Sequence, residues 1–222
     1  MAGWSPVVSL VTDASGAAKA GEAGDVVVIV DVVSMSTSAE AALNKGAARI
    51  YGAAGHNNRS VIYRPKPEKI GYLAGEYAKR TGYEVIIITE PRTGDYQALR
   101  DNCREVTDGL AAKGIETALF LPNLGAEVAC LADFKDKVVI LVSDSGGTAF
   151  EAALLSGAYD VLTATTAGVL GGSSKLSAKA LSILEISQRA KVNITLVAAS
   201  SNCLEDVLGA NYLWQKIIEM RN

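Results

Sequence analysis

The stretch Asp25-Val-Val-Val-Ile-Val-Asp-Val-Val-Ser-Met-Ser-Thr-Ser38 runs an unbroken aliphatic segment into a cluster of hydroxyl side chains. Val and Ile in succession, without polar alternation, are the pattern of a strand buried on both faces, as in a parallel sheet covered by helices. The spacing predicts a strand over Asp25–Val33 and then a helix over Ser36–Lys45, stopped by Gly46. Thr37-Ser-Ala-Glu40 has capping-box spacing at that helix start.

Outward from this unit the same succession recurs. Strands are predicted at Pro6–Val11, Ala48–Ala53, Glu84–Thr89, Ile115–Leu121, Lys137–Val142, Asp160–Thr165 and Asn193–Ala199. Helices are predicted at Pro67–Thr81, Asp95–Ala112, Ala126–Ala132, Thr148–Leu155, Lys175–Ala190 and Leu204–Met220, with a polar turn at Gly55–Arg59 and a Gly/Ser loop at Ala167–Ser174. Alternation of this kind predicts an α/β fold, a mostly parallel sheet with helices on both faces in three αβα layers. A length of 222 residues suits a single α/β unit, with two similar sub-domains, about 1–122 and 123–222, as the other division.

Composition narrows the function classes. Hydrophobic residues are 49% of the chain and aromatics 6%, so the core must be aliphatic. A net charge of −3 without a basic block argues against a nucleic-acid partner. Apolar runs are strand-sized, which argues against a membrane span, and no signal peptide is visible, so a cytoplasmic location is expected. Cys103, Cys130 and Cys203 lack CxxC spacing and read as reduced, mostly buried thiols. With His56 the one histidine, a structural zinc site is not expected.

In open α/β sheets ligands bind beyond the carboxyl ends of the strands, which selects three segments. At Asp31–Ser38, a carboxylate late in a buried strand needs a cation or strong donors. Ser34, Ser36, Thr37, Ser38 and the free N–H groups of the helix start would hold an anion there, or Ser36 or Thr37 would simply cap the helix. Ser143-Asp-Ser-Gly-Gly-Thr148 brings two glycines and a helix start, predicted at Thr148, to the end of another strand. It is either an anion cradle or a tight turn capped by Asp144 or Ser145. Walker A, GxGxxG and GxSxG patterns are absent. At Ser200–Asp206, Glu205 and Asp206 fall in a first helical turn, where acids also suit the helix dipole. Outside these three, His56 and the Arg59, Arg64 and Lys66 cluster read as solvated loop. Glu90–Asp95 reads as a plain turn with Asp95 as cap, though it also follows a strand.

Three separated segments resemble one family, the 2-phosphosulfolactate phosphatases. Asp25–Ser38, continuing through Ala41-Ala-Leu-Asn-Lys-Gly46, is similar to that family's opening strand and Thr/Ser-rich helix start. Val138–Leu155 is similar to its later strand, Asn-Gly-Thr loop and Ala-rich helix, and Ser201–Ala210 to its Leu-Glu-Asp segment. The resemblance implies a magnesium-dependent phosphomonoester hydrolase of a small anionic phosphorylated acid, a step towards coenzyme M. It departs at Ser34, where the family has Arg, and at Gly75-Glu-Tyr, where the family has Gly-Glu-Arg. The family's Gly-Asn-Ser-Pro segment is not visible.

On this reading Asp31, Glu205 and Asp206 are the Mg²⁺ ligands, and the nucleophile is metal-activated water by default, with Asp31 and Asp144 as the catalytic candidates from the chain. Ser34, Ser36, Thr37, Ser38, Ser145, Gly146, Gly147 and Thr148 are the substrate-binding residues. A two-fold homodimer is the expected assembly. The rival reading is a binding or scaffold protein of the same fold without the chemistry, which Ser34 in place of Arg favours. A nucleotide- or coenzyme-binding enzyme rests on fold analogy alone.

Overall fold

A computed structural model describes residues 4–56, 58, 63–93, 95–167 and 173–221. The chain runs β1 (Val8–Thr12), α1 (Asp13–Glu22), β2 (Val26–Val30), α2 (Met35–Asn44), β3 (Arg49–Ala53), α3 (Pro67–Thr81), β4 (Val85–Thr89), α4 (Tyr96–Asn102) and α5 (Arg104–Ala111). It continues through β5 (Ala118–Pro122), a 3-10 turn (Gly125–Cys130), β6 (Val138–Val142), α6 (Gly146–Leu155), β7 (Asp160–Ala164), α7 (Ser173–Ala190), β8 (Ile194–Ala198) and α8 (Leu204–Arg221).

The strands form two parallel four-stranded sheets, ordered β1-β8-β2-β7 and β3-β6-β4-β5. Each is the middle of an αβα arrangement. The continuous aliphatic runs explain why. In β2, Val27 and Ile29 point into a core shared with Ile86 and Ile88 of β4 and Val139 and Leu141 of β6. Val26, Val28 and Val30 point the other way, onto α7 and α8, while Val85, Ile87 and Ile140 face α3 and α5. Helices α2 and α6 lie in the shared layer and touch strands of both sheets.

Strands β3 and β7 are the facing edges. A gap of about 150 Å³, lined by Ile50, Phe150, Val161 and Thr163 among others, lies between them, and Arg49 and Asp160 meet across its end at 4.0 Å. Phe150 closes on β3 because Gly52 has no side chain there: a Cβ would stand 2.5 Å from that of Phe150. Both sheets mix strands from across the sequence. The first takes β1, β2, β7 and β8, the second β3 to β6, so neither coincides with residues 1–122 or 123–222.

Three local expectations are corrected. No periodic pattern marks helix α1; its Asp-Ala-Ser-Gly-Ala-Ala-Lys-Ala-Gly-Glu sequence has no large apolar residue. It is held by close approach instead, since a Cβ on Gly21 would lie 2.5 Å from the Ala153 carbonyl of α6. The long helix expected over Asp95–Ala112 breaks at Cys103 into α4 and α5. Of the three thiols only Cys103 is buried; Cys130 is exposed and Cys203 half-buried, and all are free. Among the described residues no helix is long and apolar enough to cross a membrane.

Candidate functional site

The carboxylate of Asp31, one residue past β2 and almost fully buried, is the centre of the site. Its Oδ1 accepts the Met35 N–H of α2 at 3.3 Å. Its Oδ2 accepts the Ser145 hydroxyl and the Gly146 N–H of α6, each at 2.9 Å. First-turn N–H groups have no partner within their own helix, and a carboxylate suits the positive end of the helix dipole. Neither Ser34 nor Ser145, the residues preceding α2 and α6, caps its helix with its own side chain. One aspartate therefore caps two helices, and through them ties the first sheet to the second. Gly146 permits this approach, because a Cβ there would lie 2.4 Å from Asp31 Oδ2.

The turn into α2 is tight. Ser34 adopts φ 154°, a sparsely populated conformation for a residue with a side chain. Its hydroxyl donates to Glu90 Oε1 at 3.4 Å, bringing the β4 loop to the site. From the last strand end, Asp206 in the first turn of α8 accepts the Val32 N–H at 2.8 Å. Burial pushes the Asp31 carboxyl above the ordinary carboxylate range, against the bonds from Ser145, Met35 and Gly146 and the charge of Arg92. Burial also raises Asp206, against the Val32 bond, and the negative charge of Asp31 raises it further.

These shifts have a pH consequence. Both acids hold their protons more tightly in the folded chain than in the unfolded one. Their stabilising contribution is complete below the ordinary value of 3.8 and is lost as pH rises through the raised folded values. Urea midpoints of wild type relative to Asp31→Asn should therefore decline as pH rises above about 4. A wild-type advantage that grows over that range would contradict the environment described for Asp31.

Most of the other expected binding groups are turned inward. Ser36 Oγ accepts the Asp31 N–H at 3.0 Å and donates to the Ile29 carbonyl at 2.9 Å. Thr37 donates to the Val32 carbonyl at 2.8 Å and lies 2.7 Å from the Thr165 hydroxyl. Ser38 donates to Asn123 Oδ1 at 2.6 Å. The capping box is thus corrected: α2 begins at Met35, ahead of Thr37, and Glu40 instead accepts Thr163 and Lys179. Helix α6 likewise begins at Gly146, two residues before Thr148. Ser143 Oγ takes the Gly147 N–H at 2.8 Å, and the Thr148 hydroxyl donates to the Ser143 carbonyl at 3.3 Å and accepts Asn58 Nδ2 at 2.6 Å.

Asp144 is exposed, with its carbonyl accepting Asn58 Nδ2 at 2.9 Å. Glu205 is exposed and meets the Cys203 thiol at 3.4 Å. The structure therefore gathers Asp31, Ser145, Gly146 and Asp206, with Ser34 beside them, and leaves Glu205 apart. Among the described residues, no three of His, Cys, Asp and Glu stand together as a metal group. Asp31 and Asp206 are the pair whose mutual repulsion a cation would relieve, and Mg²⁺ commonly takes one or two carboxylates with water and substrate oxygens.

Two features of the site go beyond the local sequence pattern. Asp95 does cap α4, accepting the Ala98 N–H at 2.8 Å, but Glu90 at the end of β4 also reaches the site; the strand-end rule was the signal for it. His56 Nδ1 pairs with Glu105 Oε1 at 2.6 Å rather than lying free in solvent. No spacing in the sequence links those two. Arg59 and the Gly168–Gly172 segment lie outside the described residues. Compared with known proteins, the sequence matches no protein-family model and none of the curated proteins.

Proposed function

We propose that the chain is a phosphomonoester hydrolase for a small anionic phosphorylated acid, as the resemblance to the 2-phosphosulfolactate phosphatases implies. The observation that carries this reading is the buried pair Asp31 and Asp206 at the carboxyl ends of β2 and β8, with the Ser145 hydroxyl on Asp31. Asp31 and Asp206 would hold Mg²⁺, which when bound supplies Lewis-acid stabilisation of phosphoryl charge. Ser145, whose hydroxyl is on Asp31, would contact the phosphate, and the exposed Asp144, one residue before it, would take a proton from water.

The test is inorganic phosphate release from a panel of small phosphomonoesters, with Mg²⁺ and with EDTA. Turnover is expected with Mg²⁺, lost in EDTA and reduced at least about a hundredfold in Asp31→Asn, whose circular dichroism should match wild type. Absence of turnover across the panel by folded wild type would overturn the hydrolase reading. A second reading, a binding protein without the chemistry, is favoured by one observation. The N–H groups of Met35, Gly146 and Gly147 are already bonded to the chain's own Asp31 and Ser143.

A further inference from the structure

A cavity of about 510 Å³ opens beside the first sheet, between α2, the 3-10 turn, the end of β7 and α7. Asp31, Ser145 and Asp206 do not line it; Thr37, whose hydroxyl bonds inward to the Val32 carbonyl, is the residue it shares with the Asp31–Ser38 segment. Its size falls in the range of small-molecule pockets. The space exists because the elements around it present methyl groups where longer side chains would interdigitate: Ala41 from α2, Ala126 and Ala129 from the turn, Ala164 from β7 and Ala178 from α7.

Charge is distributed unevenly around these walls. Glu40, an acid on the lining, is satisfied, with its Oε1 accepting Lys179 Nζ at 2.9 Å and the Thr163 hydroxyl at 2.8 Å. Lys45 and Lys175 also line the cavity, from the end of α2 and the first turn of α7, and both are exposed. Among the described residues neither has an acidic partner. Lys175 stands where the amino end of α7 adds its own positive potential. The cavity thus combines an alanine-lined body with Lys175 at the amino end of α7 and Lys45 at the carboxyl end of α2, neither of which has an acidic partner among the described residues.

We propose that this cavity binds a small organic anion with a compact apolar body, namely a short aliphatic carboxylate. The carboxylate lies at Lys175 and the amino end of α7, the hydrocarbon lies against the alanine methyls, and Lys45 adds positive charge from the other end of the cavity. A nucleotide fits the lining less well, because among the described residues the walls offer no aromatic ring for a base to stack on. The proposal does not depend on the hydrolase reading, since its test is a binding measurement.

The full-length chain is titrated with hexanoate and, separately, with hexanamide by isothermal calorimetry. Hexanoate is expected to bind with a Kd of about 1 mM, and hexanamide at least about tenfold more weakly. Charge reversal in the double variant Lys45→Glu/Lys175→Glu should weaken hexanoate at least about tenfold. Filling the cavity with Ala129→Trp should abolish binding. Ala178→Trp, at an exposed helical position, serves the same purpose if the first variant does not fold. Equal binding of the acid and the amide overturns the proposal. So does no hexanoate binding up to about 20 mM, or binding that both tryptophan variants leave intact.

Discussion

Gly147→Ala is expected to destabilise the fold by about 3 kcal/mol. An added Cβ would stand 2.0 Å from the Ala53 carbonyl oxygen and 3.2 Å from that of Leu141. Both are backbone atoms at the ends of β3 and β6, so neither can swing aside as a side chain would. Relief requires α6 to withdraw from the second sheet, and α6 begins on the bond from Gly146 to Asp31. Gly114→Ala is the contrasting control. Its φ of 79° disfavours a side chain, but nothing lies within 4 Å of the new Cβ. Its loss should be about 1 to 2 kcal/mol, from backbone conformation alone. Urea midpoints and slopes measure both. If Gly147→Ala were no worse than Gly114→Ala, α6 could not be seated as closely as described.

Asp31→Ala should lower stability near neutral pH by about 3 kcal/mol, because three donors lose their acceptor together. Two are backbone N–H groups in the interior, from Met35 and Gly146, and the third is the Ser145 hydroxyl. The burial that raises the Asp31 pKa works in the opposite direction, since it disfavours the charged form that the variant removes. Asp31→Asn separates these contributions. Its amide keeps one acceptor but turns an N–H₂ toward groups that themselves donate, so its loss should lie between those of wild type and Asp31→Ala. Ser145→Ala removes a single bond and should cost about 1 kcal/mol. An Asp31→Ala protein as stable as wild type would show that the two helix starts find acceptors elsewhere.

How much of this was legible beforehand depended on whether local pattern or distant pairing decided each feature. The Val/Ile run of β2 declared its own burial, and Pro67–Thr81 was bounded by a proline at its first turn and a glycine with φ 74° after its last. Strand partners carry no such mark. Nothing in Val26–Val30 says that its neighbours are β7 and β8, so one sheet and two sheets read alike. Helix α1 was invisible because hydrophobic periodicity is the signal for a helix, and this one packs through Ala and Gly. Asp31 was identifiable as a buried acid that needed donors. What could not be read was that Ser145 and Gly146, more than a hundred residues on, supply them. The hydroxyls of Ser36, Thr37 and Ser38 misled for the related reason that their acceptors are carbonyls and side chains inside the fold.

The order of strands also imposes an order in time. The second sheet is complete in sequence once Val142 has been made, with β3 to β6 all available to one another. By contrast, among the described residues β1 pairs with β8 alone and β2 with β7 and β8, so the first two strands wait for residues 160–198. On a growing chain, Val26–Val30 therefore remains an unsatisfied aliphatic ribbon while more than a hundred residues emerge behind it, an interval in which such a segment is open to mispairing. The second sheet, with α3 and α5 already laid against it, is the surface on which the late-formed half then assembles.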